Sequence, residues 1–147
     1  MMEQQPAITA TVPFLAVSDM ESSLRFYVDG LGFGITHSWT PRGRIEWCAL
    51  KRDAGMLMLQ QPSGDEQHPG LPEGKRGLGV SIFFICEDAL PVYRELVTKG
   101  ITVAEPFVGN NMWVISLLDP DGYSIEFESA TDVPEQTTYS DWIKQNA

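Results

Sequence analysis

Four side chains in the first half of the chain are the candidates for an unusual metal site. His37, Glu46 and Cys48 fall on neighbouring strand-like runs, and His68 lies in the loop that follows them. Imidazole, carboxylate and thiolate groups bind divalent transition metals, but about three of them must converge on one point. The spacing of these four residues matches no compact ligand motif. We therefore favour their being ordinary strand and loop residues, with an unusual metal site as the alternative.

The two cysteines point to the redox environment. Cys48 and Cys86 both lie in strand-like runs. Neither has a nearby residue with which it could form a zinc site or a redox pair. We expect two reduced, buried thiols, as is usual in cytoplasmic proteins.

The charge balance excludes some classes of partner. Ten basic and twenty acidic residues give a net charge of −10, and the basic residues form no run. Nucleic-acid phosphates require clusters of Lys and Arg, whereas an acidic protein attracts cationic small molecules or is simply soluble. No apolar run reaches the roughly 20 residues that span a bilayer, and Met1–Ala10 lacks the features of a signal peptide. These properties predict a cytoplasmic protein that binds neither nucleic acid nor membrane.

One pattern occurs twice along the chain. Residues 12–33 read as a strand, an acidic turn, an amphipathic helix and a glycine, and residues 80–101 repeat that order. Ser18 with Glu21 predicts a capping box at the first helix, and Asp88 is the predicted N-cap of the second. Three further strand-like runs follow each helix: 33–40, 44–50 and 56–61 in the first half, and 101–107, 112–118 and 123–128 in the second. Each half is therefore predicted to be a βαβββ unit.

The two units define the expected organisation. A supersecondary unit that cannot bury its apolar face alone packs against its copy, so we predict an α+β fold in a single domain, residues 1–147. Module one covers about 8–61, a Gly- and Pro-rich connector 62–79, and module two about 80–129. A tail, 130–147, follows, with a short helix predicted at Tyr139–Gln145.

The order of several short motifs resembles one family. Phe26-Tyr27 with Leu31-Gly32-Phe33, and Asp119-Pro120-Asp121-Gly122 with Glu126, resemble the vicinal oxygen chelate superfamily. It includes glyoxalase I, extradiol dioxygenases and bleomycin-resistance proteins. The resemblance implies that the two modules form a curved mixed sheet, a cup with the helices on its outer face. It also implies metal ligands on the first and last strands of each module.

Those ligand positions carry few donors here. By the spacing that the resemblance implies, they are Val12, Met58, Val80 and Glu126. Only Glu126 has a side chain that binds a divalent metal. The sequence therefore predicts that the usual metal site is lost and that no cofactor is bound.

Strand alternation predicts what lines the cup instead. If Val12, Val80 and Glu126 face inward, then Leu15, Val17, Phe83 and Ile85 face the helices. The predicted ligand-pocket residues are aromatic or apolar, with two acids for a cationic group: Phe14, Glu46, Trp47, Met58, Phe84, Trp113 and Glu126. Trp39 has no assigned face. The alternative for each apolar residue is that it fills the cup or a dimer interface.

A second resemblance narrows the functional expectation. Thr11-Val12-Pro13-Phe14 and the residues up to Asp19 are similar to the opening of bleomycin-resistance proteins. This implies a homodimer that sequesters a small organic ligand, cationic or aromatic, without transforming it. The alternative is a glyoxalase-like lyase, isomerase or dioxygenase with an atypical metal site or with Glu126 as general base. A third possibility is a structural or regulatory protein whose cup is filled by its own side chains.

Overall fold

The computed structural model describes residues 4–64, 71, 74 and 76–147. His68 lies outside the described residues, as does part of the connector. The described elements are β1 (Phe14–Ala16), α1 (Met20–Leu24) continued by a π-helical turn (Arg25–Gly30), β2 (Gly34–Trp39), β3 (Trp47–Arg52), β4 (Gly55–Gln60), β5 (Ser81–Ile85), α2 (Leu90–Thr98), β6 (Phe107–Gly109), β7 (Met112–Leu118), β8 (Ser124–Ala130) and α3 (Tyr139–Gln145). The predicted α+β fold of two βαβββ modules is confirmed, and so is the helix at Tyr139–Gln145.

Each module forms one mixed sheet of four strands. The strand orders are β1-β4-β3-β2 and β5-β8-β7-β6, which we call sheet A and sheet B. The first strand of each module pairs in parallel with the last, and the other pairs are antiparallel. A single core cluster contains buried residues from both sheets together with α1, the π-helical turn and α2. One face of each sheet is therefore buried against the helices, and we call the other its open face.

Three predictions about local structure are wrong. The predicted strand at 101–107 is reduced to β6, since the segment before Phe107 makes only an isolated sheet contact, from Ala104 N–H to the Ser116 carbonyl. The capping box is absent because Asp19, not Ser18, caps α1 and accepts from the Glu21 N–H. On β5, Phe83 and Ile85 are exposed, whereas Ile82 and Phe84 face the core.

The β7–β8 turn joins the two modules. The Asp119 carboxylate accepts a buried hydrogen bond of 2.7 Å from the Tyr27 hydroxyl. Asp121 accepts from the Ser18 N–H, and the Tyr123 hydroxyl donates to the Ala16 carbonyl. Asp119 thus binds the π-helical turn of module one, and Asp121 and Tyr123 bind the corner between β1 and α1. Burial raises the pKa of Asp119 above its usual range, and the hydrogen bond from Tyr27 opposes that rise.

Across residues 4–64, 71, 74 and 76–147, no helix has the length and apolar character needed to cross a bilayer.

Candidate functional site

The open face of sheet A carries a set of apolar and aromatic side chains. Phe14 lies opposite Met58, and Ala16 lies opposite Gln60, in the parallel pair of β1 and β4. Trp47 lies opposite Gln60 on the other side of β4. Since Leu15, Leu57 and Leu59 alternate with these residues and are buried, the first set points away from the core. Phe14, Trp47 and Met58 are therefore on one face, as predicted.

Two tryptophans are paired on this face. Trp39 and Trp47 lie directly opposite each other on β2 and β3, and Trp39 is 45 % exposed. An open cavity of about 620 Å³ is lined by His37, Ser38, Trp39, Trp47 and Gln60. The alternation alone could not place Trp39, because a bulge between Ile35 and His37 shifts the register of β2. The symmetry of the hairpin would have predicted that these two residues pair, since Trp39 and Trp47 are equally distant in sequence from Gly43.

Glu46 does not face the tryptophans as a ligand-binding acid. It is buried, and both of its carboxylate oxygens accept from Arg42, at 3.0 and 2.7 Å. Glu46 also accepts the Gln61 N–H at its carbonyl and donates its own N–H to the Trp39 carbonyl. The predicted role of Glu46 as a free anion in the pocket is wrong, because its charge is already paired inside the hairpin that carries the two tryptophans.

The open face of sheet B is acidic as well as apolar. Glu126 lies between Phe83 on β5 and Ser116 on β7, and the Ser116 hydroxyl donates to its carboxylate at 3.3 Å. Glu128, two residues on, lies on the same face next to Ile85. Glu126 is thus on the predicted face, and Glu128 supplies a second carboxylate beside it.

Two residues predicted on the open face lie on the core side of sheet B, although Phe84 lines a separate cavity of about 1020 Å³. Phe84 packs between Phe33 and Phe127, with ring centroids 5.4 Å from each. Trp113 is 4 % exposed and packs against Tyr139 and Trp142 of the C-terminal helix. Their predicted positions on the open face are wrong, because the sequences around them are apolar on both faces and give no alternation to follow.

The residues at the expected ligand positions do not fit a divalent metal. Glu126 has Phe83 and Ser116 as its neighbours across the two strand pairs, and Met58 has Phe14. Within the part of the chain that the structure describes, no three His, Cys, Asp or Glu residues lie close enough together to hold a metal ion. His37, Glu46 and Cys48 do not converge, since Glu46 and Cys48 are buried on the face opposite to His37.

The two cysteines differ in accessibility. Both are free thiols; Cys48 is fully buried, and Cys86 is half-buried. Burial raises the pKa of the Cys48 thiol to about 11, and it also raises the pKa of Cys86. Because the thiolate is the reactive form, we expect iodoacetamide at pH 8 to modify Cys86 slowly and Cys48 only after unfolding. Mass spectrometry of digested native protein tests this, with Cys86→Ser as the control; modification of Cys48 in folded Cys86→Ser would contradict it.

The family follows from a comparison with known protein families. Residues 7–127 match the model of the Glyoxalase/Bleomycin resistance protein/Dioxygenase superfamily. The chain belongs to this superfamily. A search of curated proteins found no match.

Solved structures of the superfamily fold resemble the chain along most of its length. A virulence protein from Salmonella typhimurium is 25 % identical, with a TM-score of 0.60 over 86 % of this chain and 100 % of that one. TnmS3, an antibiotic-binding protein from a Streptomyces species, is 22 % identical, with a TM-score of 0.65 over 86 % and 100 %. Lactoylglutathione lyase from Agrobacterium tumefaciens is 18 % identical, with a TM-score of 0.63 over 85 % and 96 %. The superfamily fold therefore accommodates both a binding protein and an enzyme.

Proposed function

We propose that this superfamily member binds a small organic molecule and sequesters it without a metal ion and without transforming it. The observation that carries the proposal is the pair of tryptophans, Trp39 and Trp47, side by side on the open face of sheet A. Large aromatic side chains left exposed together on one face are typical of ligand or partner contacts. Their indole planes offer a surface for a planar organic group.

The proposed ligand is a planar aromatic cation. The acidic side chains Glu126 and Glu128 lie on the open face of sheet B, and the whole chain has a net charge of −10. Carboxylates next to apolar side chains attract an amine more strongly than they would in open water, because the local dielectric is lower. The aromatic surface and the acidic surface would thus recognise two ends of one ligand.

The proposed site needs a second copy of the chain. The cavity beside Trp39 is lined by residues of sheet A alone, and no residue of sheet B closes it. In a two-fold dimer, the open face of sheet A of one protomer can lie against the open face of sheet B of its partner, and the same contact occurs twice. Such a homodimer would cover the exposed aromatic side chains of both faces, which include Phe14 and Phe107.

The names of the similar structures are compatible with a binding function but do not distinguish it from an enzymatic one. TnmS3 binds an antibiotic, and the lyase from Agrobacterium is named as an enzyme. An enzymatic role would use Glu126 as general base, within reach of a substrate on the open face of sheet B. Glu126 has Glu128 near it, but among the described residues no three His, Cys, Asp or Glu side chains come together to hold a Lewis-acidic metal, so sequestration is the better-supported function.

A tryptophan-fluorescence titration with matched probes tests the proposal. Aminomethyl-anthracene, a planar cation, should bind and quench the indole emission, whereas anthracene carboxylate, the same ring with a negative charge, should bind weakly. Trp47→Ala should reduce the affinity for the cation by roughly 30-fold, as loss of a central aromatic contact does. Trp142→Phe removes an indole of the C-terminal helix and should leave the affinity unchanged. Equal binding of both probes, or an unaffected Trp47→Ala variant, would contradict the proposal.

A further inference from the structure

Among the described strands, β5 has an outer edge that no other strand covers. β5 pairs with β8 on one side and is the outermost strand of sheet B on the other. The Cys86 N–H donates to the Glu128 carbonyl, at 2.8 Å. Since successive residues of a strand direct their backbone groups to opposite sides, Phe83 and Ile85 direct theirs away from β8. Among the described residues, no backbone group outside sheet B pairs with either of them.

The other strand edges are blocked in recognisable ways. β1 has only three residues, and the Ala16 carbonyl, which points away from β4, already accepts from the Tyr123 hydroxyl. β2 is interrupted by the bulge between Ile35 and His37. β6 has three residues, and Phe107 bridges to Thr138 of the C-terminal tail. Short strands, prolines, bulges and covering segments are the usual devices that prevent a strand edge from pairing with another chain.

β5 has none of these devices. It has five residues, Ser-Ile-Phe-Phe-Ile, without proline, lysine or a bulge. Phe83 is 48 % exposed and Ile85 67 % exposed. An edge of this kind readily accepts a further strand, because the backbone groups of Phe83 and Ile85 can then form the hydrogen bonds that they lack.

A groove runs along this edge. Its volume is about 1020 Å³, and residues 82–88 form one wall. Thr11, Pro13 and the turn from β3 to β4 form the other wall, and the mutually tilted rings of Phe33, Phe84 and Phe127 lie at its base. The groove is thus open to an extended chain that lies beside β5, with apolar surface beneath it.

The end of the groove is acidic. Asp53, Glu87 and Asp88 line it together with one cation, Arg52. The Arg52 guanidinium donates to the Leu31 carbonyl at 2.6 Å and lies 3.8 Å from the Glu95 carboxylate, so its charge is partly offset by these two partners. A segment with positive charge therefore complements this end of the groove.

We propose that the free edge of β5 binds an extended basic peptide segment of another protein by strand addition. The segment would pair with the backbone of Phe83 and Ile85, and a basic residue at one end would lie near Glu87. The N-terminal segment of a second copy fits this acidic end less well, since its residues 4–12 contain no Lys or Arg. This site adjoins the acidic half of the proposed ligand site, since Phe83 lies beside Glu126 and Ile85 beside Glu128, but it shares no residue with the cavity beside Trp39.

Fluorescence anisotropy with a labelled peptide tests the inference. The peptide alternates Val and Thr after two lysines. Ile85→Pro removes only the N–H that points away from β8, so sheet B keeps its ladder, while Ile85→Val keeps that N–H. We expect Ile85→Pro to weaken binding at least about tenfold, which is the loss of one well-made hydrogen bond, and Ile85→Val to leave it unchanged. Glu87→Lys should weaken it as well, and Trp39→Ala should not.

A second measurement does not depend on how the proline variant folds. The same peptide with its backbone nitrogens methylated should fail to bind the wild-type protein, because strand addition needs its N–H groups. Equal binding of the methylated peptide, equal binding of a peptide with Glu in place of Lys, or no saturable binding of the unmodified peptide would each overturn the inference. So would hydrogen-exchange protection of Phe83 and Ile85 that rises with protein concentration alone, since a second copy would then occupy the edge.

Discussion

Tyr27→Phe is expected to lower the free energy of unfolding at neutral pH by about 1.5–3 kcal/mol, the usual range for a hydrogen bond to a charged group. The Tyr27 hydroxyl donates to the buried carboxylate of Asp119 across the contact between the modules. Removing the hydroxyl leaves a buried carboxylate with only the N–H groups of Asp121 and Tyr123 as donors. Chemical denaturation followed by circular dichroism measures the loss.

The loss of stability in Tyr27→Phe should become smaller as the pH falls. The hydrogen bond from Tyr27 lowers the pKa of Asp119, against the larger effect of burial, which raises it. The bond therefore stabilises the ionised carboxylate, so its contribution is present above the pKa of Asp119 and is lost as the pH falls through it. For Asp119 itself the net pKa is raised, so its protonated form favours folding; this stabilisation is fully present below the unfolded value, about 3.9, and is lost as the pH rises through the folded value.

Tyr123→Phe is the matched control for this prediction. The Tyr123 hydroxyl also joins the modules, but it donates to a neutral backbone carbonyl, that of Ala16. We expect a smaller loss, about 1 kcal/mol, that varies little with pH in the acid range. Equal losses for the two variants at every pH would show that the charge of Asp119 does not contribute.

Arg42→Ala is expected to destabilise the protein by about 2–3 kcal/mol, because it leaves the Glu46 carboxylate buried without its charged partner. The Glu46 side chain is 5 % exposed, whereas that of Arg42 is 54 % exposed. The cost therefore comes from the carboxylate that stays inside, and not from the exposed guanidinium. The same change should alter the emission of Trp39 and Trp47, since Glu46 lies in the hairpin that holds them.

A double-mutant cycle isolates this pair. Glu46→Gln removes the charge and keeps the shape, so the Arg42→Ala change should cost much less in that background. Thermal unfolding of the four proteins gives the coupling free energy. A coupling below about 0.5 kcal/mol, the size found for independent sites, would contradict the role assigned to the pair.

The modules could be predicted because their local signals agree. The apolar stripe of residues 20–31 and the turn residues between strands specify elements that the structure contains. On β8, Ile125 and Phe127 alternate with Ser124, Glu126 and Glu128, so the buried face was predictable. Sequence and structure agree wherever one face of a strand is clearly more apolar than the other.

The positions of the other predicted site residues depend on tertiary contacts that the sequence pattern does not show. On β5, Ile82, Phe83, Phe84 and Ile85 are all apolar, so alternation cannot tell which face is buried. Trp113 lies on the core side, where it packs against Tyr139 and Trp142 of the C-terminal helix, which are distant in sequence. Glu46 is of a residue type that often binds ligands. Its pairing with Arg42 depends on the conformation of the hairpin, which the sequence pattern does not show.

The central claim is that one ligand contacts sheet A of one protomer and sheet B of its partner. Co-expression of Trp47→Ala chains with Glu126→Gln/Glu128→Gln chains, each with its own affinity tag, allows the mixed dimer to be purified. In that dimer one site carries both defects and the other carries none. Calorimetric titration with aminomethyl-anthracene should therefore show one tight site per mixed dimer, against two in the wild type and none in either variant homodimer. A mixed dimer that binds no more tightly than the variant homodimers, or a chain that remains monomeric, would contradict the account.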